Sequence, residues 1–425
     1  MRTFLIWIAT ACAFSLLLAC QTAKPKVISR ANAPQLPATL LLANYPLSLT
    51  DRPTTAASTY LAHIQGRLQV AELQQQSGVQ SPAQALARAG LLYQRYQIFG
   101  NMADLDSAFD RSEALAAAAE PSDDALLLWA TLAAYMHEFP QAERALAQMK
   151  APNSPAKLQL LAQMQTARGQ PEEQQSALIN AAVLSIGREF AELVQRAGHC
   201  VDKGDLDCAT QNYHQAQFVY SDSAPFPLAW LHTQQGIALL RFGYPDWALR
   251  FFEAALARMP GYYLAAEHRA ECLGLTGKLA EARTTYLEVI EQTGGTSAGN
   301  PEFMAALASV EQQLGNAEQA KLWQARARTG FASRLAQYPN AYAQHAVDFY
   351  MEINDLDKAE LLAEQNLMLR QDVGSYLIRA EVALAKQNKP QFCAAYLSAI
   401  ATGFMPPELT AMAEDAKKYG CVVAR

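Results

Sequence analysis

The residues with the clearest claim to chemistry lie in Gly198–Ala209, "GHCVDKGDLDCA". His199, Cys200, Cys208 and the nearby His214 are the donor types of a structural zinc site. The same two cysteines are a candidate disulfide, and Asp202, Asp205 and Asp207 suggest a calcium loop. Calcium is excluded by spacing, because such a loop alternates its oxygen ligands, carries a central glycine and ends on a distant glutamate. Zinc is not expected either. His199 and Cys200 are neighbours on a predicted helix and diverge by about 100°, so they cannot converge easily on one ion. A Cys200–Cys208 bridge stays open, subject to the strict distance a disulfide requires.

Two further stretches imitate enzyme motifs. Gly295–Gly299, "GTSAG", fits G-x-S-x-G, but a nucleophile elbow follows a strand and precedes a helix, and here a repeat helix over Thr284–Gln292 comes first. Gly274–Leu279, "GLTGKL", lacks the spacing and hydroxyl of a phosphate loop. The seven histidines fall in different segments and form no visible constellation. The expectation is a chain that is not an enzyme, with no cofactor and no metal.

Helices must position these residues. From Ala56 onward helical signals dominate, and one pattern recurs with a period near 34 residues. In Ala229–Pro260, Gly236 and Ala248 are small where two antiparallel helices would touch, Phe252 fills the wedge beside them, and Ala255 and Pro260 follow. Ala270, Ala282 and Tyr286 play these parts in the next unit. The second small position recurs at Ala108, Ala142, Gln174, Ala209, Ala248, Ala282, Ala320, Ala359 and Cys393. A turn residue precedes it at Gly169, Gly204, Gly243, Gly277, Gly315 and Asn354, with His137 the exception. Over residues 85–405 this resembles the tetratricopeptide repeat in nine degenerate units. The resemblance implies an all-α fold, a right-handed α–α superhelix of helical hairpins, and makes "GHCVDKGDLDCA" one repeat turn among many. In that turn Ala197 and Ala209 form the packing pair, Asp205 caps the helix that follows, and Tyr213 is the wedge.

The repeat frame bears on the cysteines. Cys200 and Cys208 sit at equal height on their hairpin, although Cys208 is turned partly away. Cys393 begins one helix and Cys421 ends the next antiparallel one, so their ends should be neighbours, and this pairing is favoured. Cys272 reads as a buried small hydrophobe.

The first residues form a separate object. Arg2 precedes an apolar Phe4–Leu18 segment, too short to span a bilayer, which ends at "LLAC", Leu17–Cys20. This resembles the signal peptide and lipobox of bacterial lipoproteins. It implies removal of residues 1–19, acylation (palmitate among the chains) of Cys20, and anchoring to the bilayer through that residue. Gln21 matches the pattern of outer-membrane delivery, on the periplasmic face of a Gram-negative cell. Residues 20–55 read as a proline-containing tether, in which Ala38–Leu47 is apolar enough to dock on the folded part, and residues 56–425 as the repeat domain with a capping C-terminal helix.

A net charge of −6 gives no basic footprint for nucleic acid. What remains is binding to protein partners whose identity the sequence does not name. In tetratricopeptide arrays the first helices line a concave groove. Carried over by resemblance, its residues include Gln159, Gln163, Trp230, Thr233, Glu267, Glu271, Gln312, Gln344 and Asp348. The expectation is therefore a membrane-anchored periplasmic scaffold. A sharper alternative is a pilotin-like or assembly-factor lipoprotein serving a pilus, secretion pore or outer-membrane complex, and a periplasmic enzyme is the alternative of another class.

Overall fold

Local signals start and stop the helices, and the computed structural model shows how they stack. It describes residues 35–37, 40, 53–78, 80–152, 154–170 and 189–421. The signal segment, Cys20 and the small-residue position at Gln174 lie outside them. After α1 (Ala57–Gln76) the helices run in antiparallel pairs. These are α2/α3 (Pro82–Phe99, Met102–Ala116) and α4/α5 (Asp123–Tyr135, Phe139–Gln148), followed by α6 (Pro155–Ala167). Next come α7/α8 (Glu189–Asp202, Leu206–Val219), α9/α10 (Phe226–Arg241, Pro245–Arg258) and α11/α12 (Tyr263–Leu275, Leu279–Thr293). A short α13 (Gly295–Ala298) precedes α14/α15 (Pro301–Gln313, Ala317–Gln337), α16/α17 (Pro339–Glu352, Leu356–Leu369) and α18/α19 (Val373–Ala385, Lys389–Ala401). The short helices α20 (Pro407–Ala411) and α21 (Ala413–Tyr419) close the end. Among the described residues there is no strand, and no helix is long and apolar enough to cross a membrane.

The pairing follows from side-chain size. Ala108, Ala142, Ala197, Ala209, Ala248, Ala270, Ala282 and Ala359 are fully buried at the helix contacts. At Gly236 a methyl group would lie 2.5 Å from the Phe252 ring, so the aromatic wedge occupies the space that glycine leaves. Asp205 caps α8 by accepting from the Cys208 backbone N–H at 2.9 Å. The "GTSAG" segment is the short helix α13 and follows a helix, not a strand. His137 is no exception among the turns: at φ 58° it takes the left-handed conformation of its glycine counterparts, as do Asn354 and Gln387.

The repeat pattern does not announce that the array coils back on itself. Turns of the first half dock on elements roughly 200 residues later. The Gln292 amide donates to Phe99 O at 3.0 Å, and Arg334 and Tyr338 both bind Asp106, at 2.9 and 3.0 Å. His137 Nδ1 lies 3.1 Å from Asn340 O, and the Met405 N–H donates to Asp202 O at 3.0 Å. Arg241, between them, bonds Glu408 at 2.7 Å and Asp202 at 3.3 Å. Backbones approach closely at these contacts. A methyl group on Gly169 would stand 2.1 Å from Gln371 O, and one on Gly204 2.4 Å from Met405 O. The matching turns at Gly277 and Gly315 face open space.

The N-terminal segment joins this body. Leu40 is fully buried in the main core cluster and Leu36 packs against it. Thr55 donates to Ser223 O at 2.7 Å, and Arg258 donates to the Thr54 hydroxyl at 3.1 Å.

Candidate functional site

The first helices α9, α11, α14 and α16 carry the row expected to line an open groove, and most of that row is buried. Trp230, Thr233, Gln344 and Glu267 are 5, 0, 1 and 8% exposed, and Gln159 and Gln163 on α6 are buried as well. These residues are therefore interior and do not form a solvated binding face. Every residue from Phe226 to Leu240 is buried, because α9 is packed on all sides. Glu271 and Asp348 are half-buried, and Gln312 is exposed.

The buried polar groups have work within the fold. The Gln344 carbonyl accepts from Arg370 at 2.8 Å, while Arg370, itself buried, grips Asp372. Asp372 in turn caps α18 through the Ser375 N–H. Glu311, fully buried, accepts from Arg283 and from Asn316, each at 2.7 Å. Arg283 is thus a partner of a buried carboxylate and not a free surface residue.

Trp230 borders a cavity of about 30 Å³ with Gln234, Tyr213, Asp202 and Arg241. The indole N–H and the Gln234 amide nitrogen find no protein partner there. A space of this size with such walls suits one bridging water.

A denser cluster sits on α11. His268 Nδ1 lies 3.2 Å from Glu267 Oε2 and 3.0 Å from Glu271 Oε2. Its ring stacks on Phe252, with centroids 5.4 Å apart and an interplanar angle of 19°. Burial opposes a charge on this imidazole, but Glu267, Glu271 and Glu302 outweigh it and push its pKa up to about 9. On the adjacent first helices, His345 Nδ1 lies 3.2 Å from Glu302 Oε2. The sequence shows Glu267, His268 and Glu271 on neighbouring helical positions, which is a local signal. It does not show that Glu302 and His345, on two later helices, come alongside.

The cysteines are placed plainly. Cys200 bonds Cys208 across the Gly204 turn, and Cys393 bonds Cys421 between α19 and the chain end. With its two cysteines joined to each other, the His199–His214 region holds no zinc donor set. Cys272 is free and buried, and burial raises its thiol pKa far above the usual value.

No family model and no curated protein matches the chain. Solved structures similar to it include the human IFIT1 dimer with PPP-AAAA, at 14% identity over 81% of this chain and 89% of that one, TM-score 0.43. TTC0263, a thermophilic TPR protein in Thermus thermophilus, is 21% identical over 44% of this chain and 97% of its own, TM-score 0.35. Pseudomonas aeruginosa pilF is 15% identical over 69% and 96%, TM-score 0.31. These likenesses concern helical architecture and carry no function across. On its own contacts, with alanines at the hairpin seams, an aromatic wedge against Gly236 and left-handed turns between paired helices, the described chain is an all-α array of tetratricopeptide-type helical hairpins.

Proposed function

We propose that this chain is a scaffold that binds protein partners without catalysing a reaction, held at the periplasmic face of the outer membrane by a lipid on Cys20. The observation that carries the scaffold reading is the self-docked array. Ion pairs and backbone contacts between its two halves hold many helix faces in one arrangement, so a partner would meet a surface already ordered. The surfaces left for it differ from the groove expected of an open array. They are the outer faces of the second helices, where Leu322 on α15 and Leu361 and Met368 on α17 are exposed, and the rim around Gln312.

Leu17–Cys20 supports the anchor, and docking of Leu36 and Leu40 sets its reach. The roughly sixteen residues between Cys20 and Leu36 extend to about 55 Å at most. The body would therefore work close to the bilayer. The pilotin or assembly-factor role is the finer form of this reading. Crosslinking in intact membranes, with mass-spectrometric identification of partners, tests it. Stoichiometric protein adducts from positions near Leu361 and Gln312 support the scaffold, and adducts from neither position refute these faces. For the anchor, Cys20→Ser should move the folded protein from the membrane to the soluble fraction; continued membrane retention would refute lipidation at that residue.

A further inference from the structure

We infer that Glu267, His268 and Glu271 form a binding site for a divalent transition-metal ion, with Zn²⁺ the best match. One atom from each residue can be chosen so that all three lie within 4.8 Å of one another. Two of the separations are 3.0 and 3.2 Å, close to the spacing of about 3.3 Å between donors on a tetrahedral ion with bonds near 2.0–2.2 Å. Glu267 and Glu271 are one helical turn apart on one face of α11. His268 follows Glu267 directly, and such neighbours generally diverge by about 100°, but here its Nδ1 comes within 3.2 and 3.0 Å of the two carboxylates, so the three atoms do converge.

A protonated imidazole held between two carboxylates is the competing account, and an ion must displace the Nδ1 proton to bind. Nδ1 carries one proton at most, so it cannot donate fully to both carboxylates that approach it. An ion at the centre takes a lone pair from all three atoms at once. The site is also built for a fixed ring: stacking on Phe252 sets the imidazole plane, and Phe252 is held by the absence of a side chain at Gly236. Stacking restricts the orientation of the ring and so pre-organises it as a ligand. The imidazole is the borderline donor that selects zinc and its first-row neighbours over calcium or magnesium, and carboxylate oxygens serve zinc as well. The three side chains are 7–14% exposed. Glu302 on α14 adds its negative charge near His268 and in turn meets His345 Nδ1 on α16 at 3.2 Å.

The test uses the full chain in detergent, stripped with a chelator and titrated with Zn²⁺ and, for its visible spectrum, Co²⁺. We expect one ion per chain, a higher melting temperature on loading, and a Co²⁺ spectrum of low coordination number. Glu271→Gln and Glu267→Gln, nearly isosteric, should each weaken binding at least tenfold, whereas Glu318→Gln on exposed α15 should not. Should either glutamine variant fail to fold, Glu302→Gln provides a second perturbation, with an altered Co²⁺ spectrum expected. A folded wild-type chain that binds no Zn²⁺ at about 100 µM overturns the inference. So does stoichiometric binding that persists unchanged in the folded Glu267 and Glu271 variants.

Discussion

Replacing turn glycines by alanine separates the docked turns from the free ones. Gly169, Gly204, Gly277 and Gly315 all have φ between 71° and 81°, so a methyl group costs about 1–2 kcal/mol at each from backbone strain alone. Gly277 and Gly315 meet nothing else within 4 Å. At Gly204 the new methyl would lie 2.4 Å from Met405 O, and the turns must part by nearly 1 Å. That separation stretches the Met405 N–H to Asp202 O bond, worth about 1 kcal/mol, and loosens Arg241 between Asp202 and Glu408, where a charged hydrogen bond is worth about 1.5–3 kcal/mol. Gly204→Ala should therefore lose about 3–5 kcal/mol against about 1–2 kcal/mol for Gly277→Ala. Gly169→Ala should resemble Gly204→Ala, since its methyl would meet Gln371 O at 2.1 Å. Urea unfolding gives the losses, and hydrogen exchange at the Met405 amide reports the contact itself. Equal losses at all four glycines, with Met405 protection unchanged in Gly204→Ala, would show that the two halves do not dock.

Ala282→Leu should destabilise by about 1–3 kcal/mol through overpacking at a fully buried seam. The neighbouring Arg283→Leu should also cost about 1–3 kcal/mol, because it strips a partner from buried Glu311, and Glu311→Gln in the same chain should recover part of that loss in denaturant melts. Trp230→Ala should lower stability by about 3–5 kcal/mol as a core truncation, so any loss of partner capture must disappear when folded fractions are matched. Burial, aided by Arg258, pushes the His232 pKa down to about 3, against 6.5 when unfolded. Unfolded chains then take up a proton that the native state refuses, and stability falls as pH drops from 6.5 toward 3. The contribution reaches about 3 kcal/mol by about pH 4, and His232→Leu should flatten that part of the urea-midpoint profile.

The sequence alone determined the hairpins. A small residue recurring near every 34 positions, a turn residue before it and an aromatic wedge after it are local requirements of two helices in contact, and each is met within one unit. Asp205 as a cap and Ala197, Ala209 and Tyr213 as packing residues were legible for the same reason. The cysteine pairs were only half legible. Spacing brings Cys393 toward Cys421, but whether Cys208 faces Cys200 depends on helix rotation about the turn, which a repeat frame resolves only coarsely. Tertiary structure decided the rest. Trp230, Thr233, Glu267 and Gln344 occupy groove positions in the repeat, yet they are buried, and their partners lie in their own and neighbouring hairpins, as in the Gln344–Arg370 bond and the Trp230 cavity. Small rotations between successive hairpins add up over some 200 residues to the docking of the second half on the first. No single unit encodes the sum. Glu302 comes near His268 from the next first helix and meets His345 on the one after; the repeat stacks these helices, but which of their side chains face each other depends on helix rotation that the repeat frame gives only coarsely.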